Sequence, residues 1–390
     1  MTLRMISDIK GVGYTEGRLL PYFFPDVFTP GGDPIGEARE NWLKARRAIL
    51  RSPLDRIGYG GYLKLAMEWP GFVEEIEQII GEFRSILEIS QDDKAYQAPF
   101  KVAVLNCFGA LRGWMSNQVH HAIYHREIYS YTGVFECLSG LPLDVRFLDF
   151  DQIKNGIDPD IKVIFNVGDA YTAWSGGENW KDERIVTALR HFVDQGGGFI
   201  GVGEPTACQY QGRFFQLSDV LGVDRENGFS ISTNKYNRLS ENCQKHFILK
   251  DIEGTLDFGE GKSRIYAHGS NYEILNQDGE YCRLVVNHYG MGRSVYFSGL
   301  PYSPQNCRIL MRAIYYAAGY ENHMLDYYVT NVDTEVAVFK KAGQIAIINN
   351  SGQTRNTQLY VSGSPLCTLE LAPGEMQFVE LPKAGQEETQ

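Results

Sequence analysis

Short apolar runs alternate with helical stretches through the middle of the chain, and this alternation most constrains its fold. The runs are KVAVLNC (from 101), VRFLDF (from 145), VIFNVG (from 163) and FIGVGEP (from 199). The helical stretch DERIVTALRHFVDQGG precedes the last run and closes with glycine. Strands that are apolar throughout are typical of parallel sheets covered by helices on both faces. We therefore predict a doubly wound α/β domain over residues 101–322.

The first ninety residues predict a different α/β arrangement. A strand segment at 14–28 must stop at or near Pro21, because proline cannot donate to a sheet. Helical spacing at 33–50, a β segment at 55–63 and an amphipathic helix at 71–87 follow. A closed (β/α)8 barrel needs eight such β/α units. Residues 1–90 are therefore predicted to be the C-terminal units of an incomplete (β/α)8 barrel.

The remaining segments complete the predicted domain organisation. Residues 91–100 are polar and suit a linker. From 323 to 381, short alternating strands such as EVAVF and MQFVEL lie between polar turns. This pattern predicts a small antiparallel β-sandwich domain. Residues 382–390 are polar and predicted to be a disordered tail.

Charge and cysteine usage exclude several classes of protein. A net charge of −11 argues against nucleic-acid binding, which needs a basic field. No run of about 18 apolar residues is present, so no membrane partner or signal peptide is expected. The seven cysteines are scattered without a Cys-x-x-Cys pair, which fits buried thiols in a reducing compartment. We expect a cytoplasmic protein.

The segment around Arg18, Tyr22, Phe24 and Asp26 is the strongest candidate binding site. In a barrel, the loops at the C-terminal ends of strands build the active site, and this segment lies at such an end. An arginine fork suits phosphate or sugar hydroxyls. The alternative is that Arg18 pairs with Glu16 or Asp26 while the aromatic rings pack against a helix. Residue chemistry leaves both interpretations open.

Weaker candidates follow strands of the predicted α/β domain. Asp169 and Trp174 lie in the loop GDAYTAWSGGENW, where a crevice position favours ligands and interdomain packing is an equal explanation. Glu204 ends the run GGGFIGVGEP, which resembles a glutamine-amidotransferase-like strand and turn. No Gly-x-Ser/Cys-x-Gly elbow is present, so Cys208 is predicted to be a buried thiol.

No metal or cofactor site is predicted. His120, His121 and His125 lie on a helical stretch, with the last two at i, i+4 spacing. They lack a third ligand and the HExxH pattern, so packing or solvent exposure is their expected role. The glycine-rich run before Glu204 also lacks the context of a dinucleotide site.

Three motifs together resemble a known family. The runs EGRLLPYFFPDVF, DRIGYGGYL and KVAVLNCFGALRGW are similar to those of galacto-N-biose/lacto-N-biose phosphorylases, the β-1,3-galactosyl-N-acetylhexosamine phosphorylases, and of their galactosyl-rhamnose-specific relatives. The resemblance extends over essentially all 390 residues. The architecture of that family resembles β-galactosidases that contain a barrel, a doubly wound domain and a β-sandwich.

The resemblance implies a reaction and roles for individual residues. The family is a group of glycosyltransferases that carry out reversible, inverting phosphorolysis of β-galactosyl-N-acetylhexosamine, giving α-galactose 1-phosphate and free N-acetylhexosamine. Inorganic phosphate is a substrate and no cofactor is required. Arg18 matches a family position that contacts phosphate or nearby sugar hydroxyls, and Tyr22 and Phe24 match positions that line the sugar pocket. The family's general acid is an aspartate on a barrel strand upstream of this motif; Asp26 is only the nearest candidate substitute.

Several expectations follow from the missing part of the barrel. We expect a truncated form that is inactive alone, with the disaccharide and phosphate as its ligands. A homodimer, or a complementing N-terminal barrel chain, is the expected protein partner. The alternatives are a non-catalytic oligomerisation or sugar-binding fragment, a β-galactosyl-rhamnose phosphorylase, and a β-galactosidase relative that uses water. The sequence leaves the acceptor sugar open.

Overall fold

The computed structural model describes most of the chain as two units. The described residues are 13–21, 28–60, 63–105, 129–170, 172, 174–226 and 238–382, with backbone only at 18–21, 59–60 and 63. The first unit comprises residues 1–97, 139–142 and 325–390, and the second comprises residues 98–138 and 143–324. Among the described residues, no helix has the length and apolar composition needed to cross a bilayer.

The first unit begins with a parallel β-α-β arrangement. Strand β1 (Glu16–Pro21) pairs in parallel with β2 (Arg56–Gly60), and helix α1 (Pro34–Ile49) connects them. Strand β1 ends at Pro21, where the sequence predicted that it must stop. Helices α2 (Leu63–Glu68) and α3 (Phe72–Ser90) follow. The predicted alternation of strands and helices is present in this segment.

A side-chain cap fixes the start of the connecting helix α1. Asp33 accepts a hydrogen bond from the Gly36 backbone N–H at 2.9 Å, and Pro34 occupies the first turn. A carboxylate satisfies one of the backbone donors that a helix start leaves unpaired, and proline lacks the donor that would be lost there. Helix α1 therefore begins where the acidic and proline residues predicted it.

The second unit contains a seven-stranded mixed sheet. Its spatial order is β11-β12-β13-β6-β5-β3-β4, and the five strands β13, β6, β5, β3 and β4 are mutually parallel. The hairpin β11–β12 extends the β13 edge in the antiparallel sense. The strands of this unit are β3 (Lys101–Leu105), β4 (Asp144–Leu148), β5 (Ile161–Gly168), β6 (Gly198–Gly203), β7 (Ala207–Tyr210), β8 (Arg213–Phe215), β9 (Val223–Arg225), β10 (Ile265–Ala267), β11 (Tyr272–Asp278), β12 (Tyr281–Tyr289) and β13 (Gly292–Phe297).

Helices cover both faces of this sheet. Helix α6 contributes Leu189 and Val193 to a buried cluster that includes Phe199 of β6. Helix α8 contacts β5, β6 and β13, and none of its residues belongs to that cluster. The helices of the unit are α4 (Tyr129–Gly140), α5 (Phe150–Asn155), α6 (Glu183–Asp194), α7 (Ser218–Leu221) and α8 (Pro304–Ala318), with 3₁₀ turns at Gly177–Lys181, Cys243–Lys245, Phe247–Leu249 and Glu321–Leu325.

The first unit ends in two antiparallel three-stranded sheets. One has the order β14-β17-β18 and the other β15-β16-β19. A shared cluster buries Val329 and Leu359 of the first sheet with Ile345 and Ile347 of the second. The strands are β14 (Tyr327–Val329), β15 (Thr334–Phe339), β16 (Gln344–Asn349), β17 (Arg355–Val361), β18 (Ser364–Leu371) and β19 (Met376–Glu380). The predicted β-rich C-terminal region is confirmed.

Helix α1 packs directly on the C-terminal sheets. Trp42 and Ile49 of the helix share a buried cluster with Phe339 and Ile348 of β15 and β16. Helices α1, α2 and α3 and one sheet therefore exclude water from a common apolar core, and residues from both ends of the chain stabilise each other. The sequence predicted the two segments separately and gave no sign of this contact.

Contacts of Tyr96 join two segments of the first unit, one that ends near residue 97 and one that begins near residue 325. The hydroxyl of Tyr96 donates to Asp326 at 2.8 Å, and its ring contacts Tyr327 edge-on at 4.8 Å between centroids. The backbone N–H of Tyr96 also donates to Val338 at 2.7 Å. The exit near residue 97 and the return near residue 325 therefore lie side by side.

Candidate functional site

Arg18 lies inside β1, three residues before the strand ends at Pro21. It pairs with Gly58 of β2, and the register shifts immediately after it. The structure describes the backbone of Arg18 and not its side chain. Glu16, one of the two carboxylates considered as its partner, lies 3.7 Å from the exposed Arg56. Strand β1 leads toward the edge that builds ligand sites in β/α barrels, and Arg18 precedes that edge.

Six other positions considered from the sequence lie outside the described residues. Tyr22, Phe24 and Asp26 fall in the segment 22–27, and the three histidines fall in 106–128, neither of which is described. Their roles stay predictions.

The structure brings together two of the weaker candidates in the second unit. Strands β5 and β6 are parallel neighbours that end in register at Gly168 and Gly203. Asp169 and Glu204 are the next residues, so both carboxylates lie at the same edge of the sheet. The chain order of the strands reverses between β3 and β5, and such a reversal opens a crevice outside the carboxyl ends.

Two cations compensate these carboxylates. Lys262 Nζ lies 2.8 Å from Asp169 Oδ1 and 3.8 Å from Glu204 Oε2. Arg225 forms an ion pair with Glu204 Oε1, and the backbone N–H of Ala170 donates to Oε2 at 2.9 Å. Glu204 is only 5% exposed, so a charge there needs such partners. The two cations balance the two carboxylates, and their hydrogen bonds hold the four side chains in place. This arrangement suits the cluster to positioning a polar group of a ligand.

Trp174 packs against helix α4. It is 5% exposed and stacks on Tyr131 with ring centroids 4.9 Å apart. Gly168 has φ +137°, and a Cβ atom there would lie 2.5 Å from Trp174 Cβ. The close return of the loop therefore requires glycine. This packing favours a structural role for Trp174.

A strained residue lies beside the carboxylate cluster. Thr206 has φ +56° and is fully buried, although β-branched residues rarely adopt the left-handed region. Its backbone N–H donates to Asn166 Oδ1 at 2.7 Å, and its hydroxyl accepts from the Leu217 N–H at 3.3 Å. Such strain persists only where surrounding contacts impose it, and it is common at functional sites.

Sequence reasoning missed four members of this site. Lys262 and Arg225 come from segments without a recognisable motif. Asn166 is the one polar residue inside the apolar run VIFNVG, and this was the available signal. Thr206 gave no signal, because its strain depends on backbone angles. Cys208 is buried as predicted, and burial raises the pKa of its thiol.

Three family models match the chain in succession. They are the lacto-N-biose phosphorylase N-terminal TIM barrel domain at residues 1–98, the central domain at 101–322 and the C-terminal domain at 327–379. The chain belongs to the lacto-N-biose phosphorylase family. Strand β1 lies within the range matched by the barrel domain, and the Asp169–Glu204 cluster lies within the range matched by the central domain.

Curated relatives carry matching names. The chain is 52% identical over 361 residues to a 1,3-beta-galactosyl-N-acetylhexosamine phosphorylase of Lachnoclostridium phytofermentans, covering 92% of this chain and 49% of the relative. Identity to the enzyme of that name from Bifidobacterium longum subsp. longum is 42%, covering 98% and 54%. A D-galactosyl-beta-1->4-L-rhamnose phosphorylase of L. phytofermentans is 34% identical, covering 93% and 49%. The chain spans about half the length of these relatives.

Solved β-galactosidases resemble the chain only distantly. The β-galactosidase of Rahnella sp. R3 gives a TM-score of 0.49 at 13% identity, covering 87% of this chain and 51% of that one. The enzyme of Halorubrum lacusprofundi gives 0.45 at 10% identity, covering 88% and 50%. Likeness at this level does not indicate the activity of this chain.

Proposed function

We propose that this chain is part of a β-1,3-galactosyl-N-acetylhexosamine phosphorylase and supplies its phosphate-holding segment. The observation that carries the proposal is the succession of all three family domains over residues 1–379. In the proposed reaction, phosphate oxygen forms a bond to the anomeric carbon while the bond to the N-acetylhexosamine oxygen breaks. A carboxylic acid gives its proton to that leaving oxygen, as in an inverting glycosidase that uses phosphate in place of water.

Arg18 is the proposed phosphate ligand. A guanidinium presents parallel donors that match phosphate oxygens. Its place on β1, the strand that leads into the loop at the C-terminal edge, supports the assignment, because that edge of a barrel builds active sites. Phosphate is already an anionic nucleophile, so the site needs a cation more than a strong base. Tyr22 and Phe24 are proposed to line the sugar pocket, and no cofactor is proposed.

The finer architecture is part of the same proposal. We propose that the β1–β2 segment belongs to a (β/α)8 barrel whose other units, including the strand with the general acid, lie upstream in the relatives. The parallel pairing of β1 and β2 supports this. The parallel strand order β4-β3-β5-β6-β13 supports a doubly wound, glutamine-amidotransferase-like second domain, and the cluster shared by two antiparallel sheets supports a terminal sandwich. Six free cysteines among the described residues support a reducing, cytoplasmic setting.

A complementation assay tests the proposed reaction. The chain is assayed alone and after co-expression with the preceding half of the L. phytofermentans relative. Phosphate release is measured from α-galactose 1-phosphate with N-acetylglucosamine, N-acetylgalactosamine or rhamnose as acceptor. We expect no turnover by the chain alone and turnover by the complemented protein, with an N-acetylhexosamine preferred, in line with the higher identity to those relatives.

Two results would contradict this proposal. Equal hydrolysis of galactosides with and without phosphate would identify a glycosidase that uses water. A folded complex that turns over none of the three acceptors would identify a non-catalytic assembly or sugar-binding fragment.

A further inference from the structure

The second unit contains a polar cavity that the proposed reaction does not use. It lies between helix α6 and the hairpin formed by β7 and β8, and its volume is 310 Å³. Pockets for small ligands start at roughly 300 Å³ and are usually mostly apolar. Here seven of ten lining residues are polar or charged. The size and the lining therefore indicate one small, highly polar ligand.

The hairpin wall of the cavity is rigid before any ligand binds. Gln216 is 5% exposed, and its side-chain Nε2 lies 2.7, 3.1 and 3.3 Å from the carbonyl oxygens of Cys208, Tyr210 and Arg213. Arg190 of α6 donates to the Gln216 carbonyl at 3.1 Å. These hydrogen bonds fix the hairpin against helix α6, so ligand binding would not have to order this side of the cavity.

The charges around the cavity are balanced. Arg190 lies 2.9 Å and Arg213 lies 3.9 Å from Asp219. Lys181 forms an ion pair with Glu178, and Glu183 accepts a hydrogen bond from Gln211 at 3.2 Å. Three cations are thus accompanied by three carboxylates, of which Glu183 lines the cavity and Asp219 and Glu178 lie beside it, so an anionic ligand gains no surplus positive field. A neutral ligand that both donates and accepts hydrogen bonds fits this lining better.

Two hydroxyl groups in the lining remain available to a ligand. Neither the Thr187 hydroxyl nor the Tyr210 hydroxyl has a hydrogen-bond partner within the described part of the chain. Thr187 is exposed on α6 and Tyr210 is half-buried on β7. A tyrosine offers an apolar ring with a polar tip, and the ring packs against apolar faces of a ligand while the tip binds hydroxyls.

We propose that this cavity is a non-catalytic binding site for a neutral monosaccharide, a hexose or N-acetylhexosamine. The sugar ring lies against Tyr210, and its hydroxyls exchange hydrogen bonds with Thr187, Glu183, Gln211 and the two arginines. The inference stands on the cavity itself and goes beyond the proposed phosphorolysis.

Binding of galactose and N-acetylglucosamine to the full chain tests the proposal by titration calorimetry and saturation-transfer NMR. Thr187→Trp places an indole in the cavity, and His191→Trp places the same group at an exposed position of α6 outside the lining. We expect saturable binding of at least one sugar, weakened at least fivefold by Thr187→Trp and unchanged by His191→Trp. Gln211→Gly is a second variant, because Gln211 has φ +49° and glycine keeps that turn; it should also weaken binding.

Phe24→Ala, at a residue proposed to line the sugar pocket of the active site, separates the two sites. Sugar binding should persist in that variant, whatever the result of the phosphorolysis assay. Absence of saturable sugar binding would overturn the proposal. Binding lost in Phe24→Ala, or binding insensitive to Thr187→Trp, would also overturn it.

Discussion

Most candidate functional residues of this chain lie on parallel strands or directly after them. Asp169 and Glu204 directly follow β5 and β6, and Arg18 lies within β1, three residues before its end at Pro21. The sheet fixes the backbone at such positions, while the adjoining loops admit ligands. Substitutions at these ends should therefore affect binding more than folding, whereas the buried Thr206 should do the reverse.

Arg18→Ala should reduce the phosphate-dependent turnover of the complemented enzyme by about 2–4 kcal/mol in transition-state free energy, the effect typical of one preorganised charge-stabilising group. The measurement is kcat/KM for phosphate. Arg56→Ala is the control, because Arg56 is a mostly exposed arginine on the neighbouring strand β2. Unchanged kinetics in Arg18→Ala would show that Arg18 has only a structural role.

Thr206→Gly should be more stable than Thr206→Ala by about 1 kcal/mol. Both variants lose the hydroxyl and the methyl group, but only alanine keeps a Cβ atom at φ +56°. Urea unfolding measures the difference. Thr357, a buried threonine inside β17, is the control, because glycine in a strand should there be less stable than alanine. The same order at both sites would contradict the assigned strain.

At the scale of elements, helix α1 is held to the C-terminal sheets by buried charge as well as by apolar packing. Arg46 donates to the carbonyls of Gly374 and Asn349 at 2.8 and 3.1 Å. Arg47 Nε lies 2.9 Å from both oxygens of Glu335 on β15. Burial raises the pKa of Glu335, but the charge and hydrogen bonds of Arg47 outweigh burial, and the pKa lies below its usual value. The pair therefore stays ionised.

Arg47→Met should destabilise the protein by about 3–5 kcal/mol, because it removes the main partner of a largely buried carboxylate. The double variant Arg47→Met/Glu335→Met should recover most of that loss, since two apolar side chains of similar size replace both charges. Urea unfolding of both variants measures this. A double variant no more stable than the single one would contradict the assigned pairing.

Stability should decrease as pH falls from about 7.5 to 5.5, partly through His246. Burial lowers the pKa of this histidine, with nearby Arg293 adding to the effect and Glu273 opposing it. Its Nδ1 accepts the Ile248 N–H at 3.2 Å, which requires the neutral ring. His246 takes up a proton less readily in the folded protein than in the unfolded chain, where a histidine has a pKa of about 6.5. The stability that neutral His246 contributes is therefore present above about pH 6.5 and is lost as the pH falls below it.

The variant His246→Gln should reduce this dependence of unfolding free energy on pH. An identical slope in the wild type and in His246→Gln would show that other groups cause the effect.

At the scale of the whole molecule, the sequence predicted individual helices and strands far better than the contacts between them. The end of β1 at Pro21 and the extent of α6 follow from local rules on proline and helical spacing. The Arg47–Glu335 pair joins residues 288 positions apart, and no local pattern encodes such a contact. Lys262 reaches Asp169 only because the sheet order places their segments together. The candidate carboxylates were therefore predictable, and the cations that balance them were not.

Removal of residues 327–382 should loosen the N-terminal segment. Helix α1 would lose its contacts with Phe339 and Ile348, and the side chain of Arg46 would lose its carbonyl partners. Hydrogen exchange should then become faster at the amides of α1 and α3. A chain lacking only residues 383–390 is the control and should exchange as the wild type does. Equal protection in both truncated chains would show that α1 is stable without the sheets.

The contacts of Tyr96 with residues 326–327 bring two crossing points of the chain side by side, because the Tyr96 hydroxyl donates to Asp326 at 2.8 Å. Domain insertion is tolerated where such junctions lie close together. Residues 139–142 also belong to the first unit, and Arg51 donates to the Gly140 carbonyl at 3.0 Å. A shorter or longer replacement for residues 98–324 must therefore supply a new acceptor for Arg51, besides rejoining the chain at the aromatic pair.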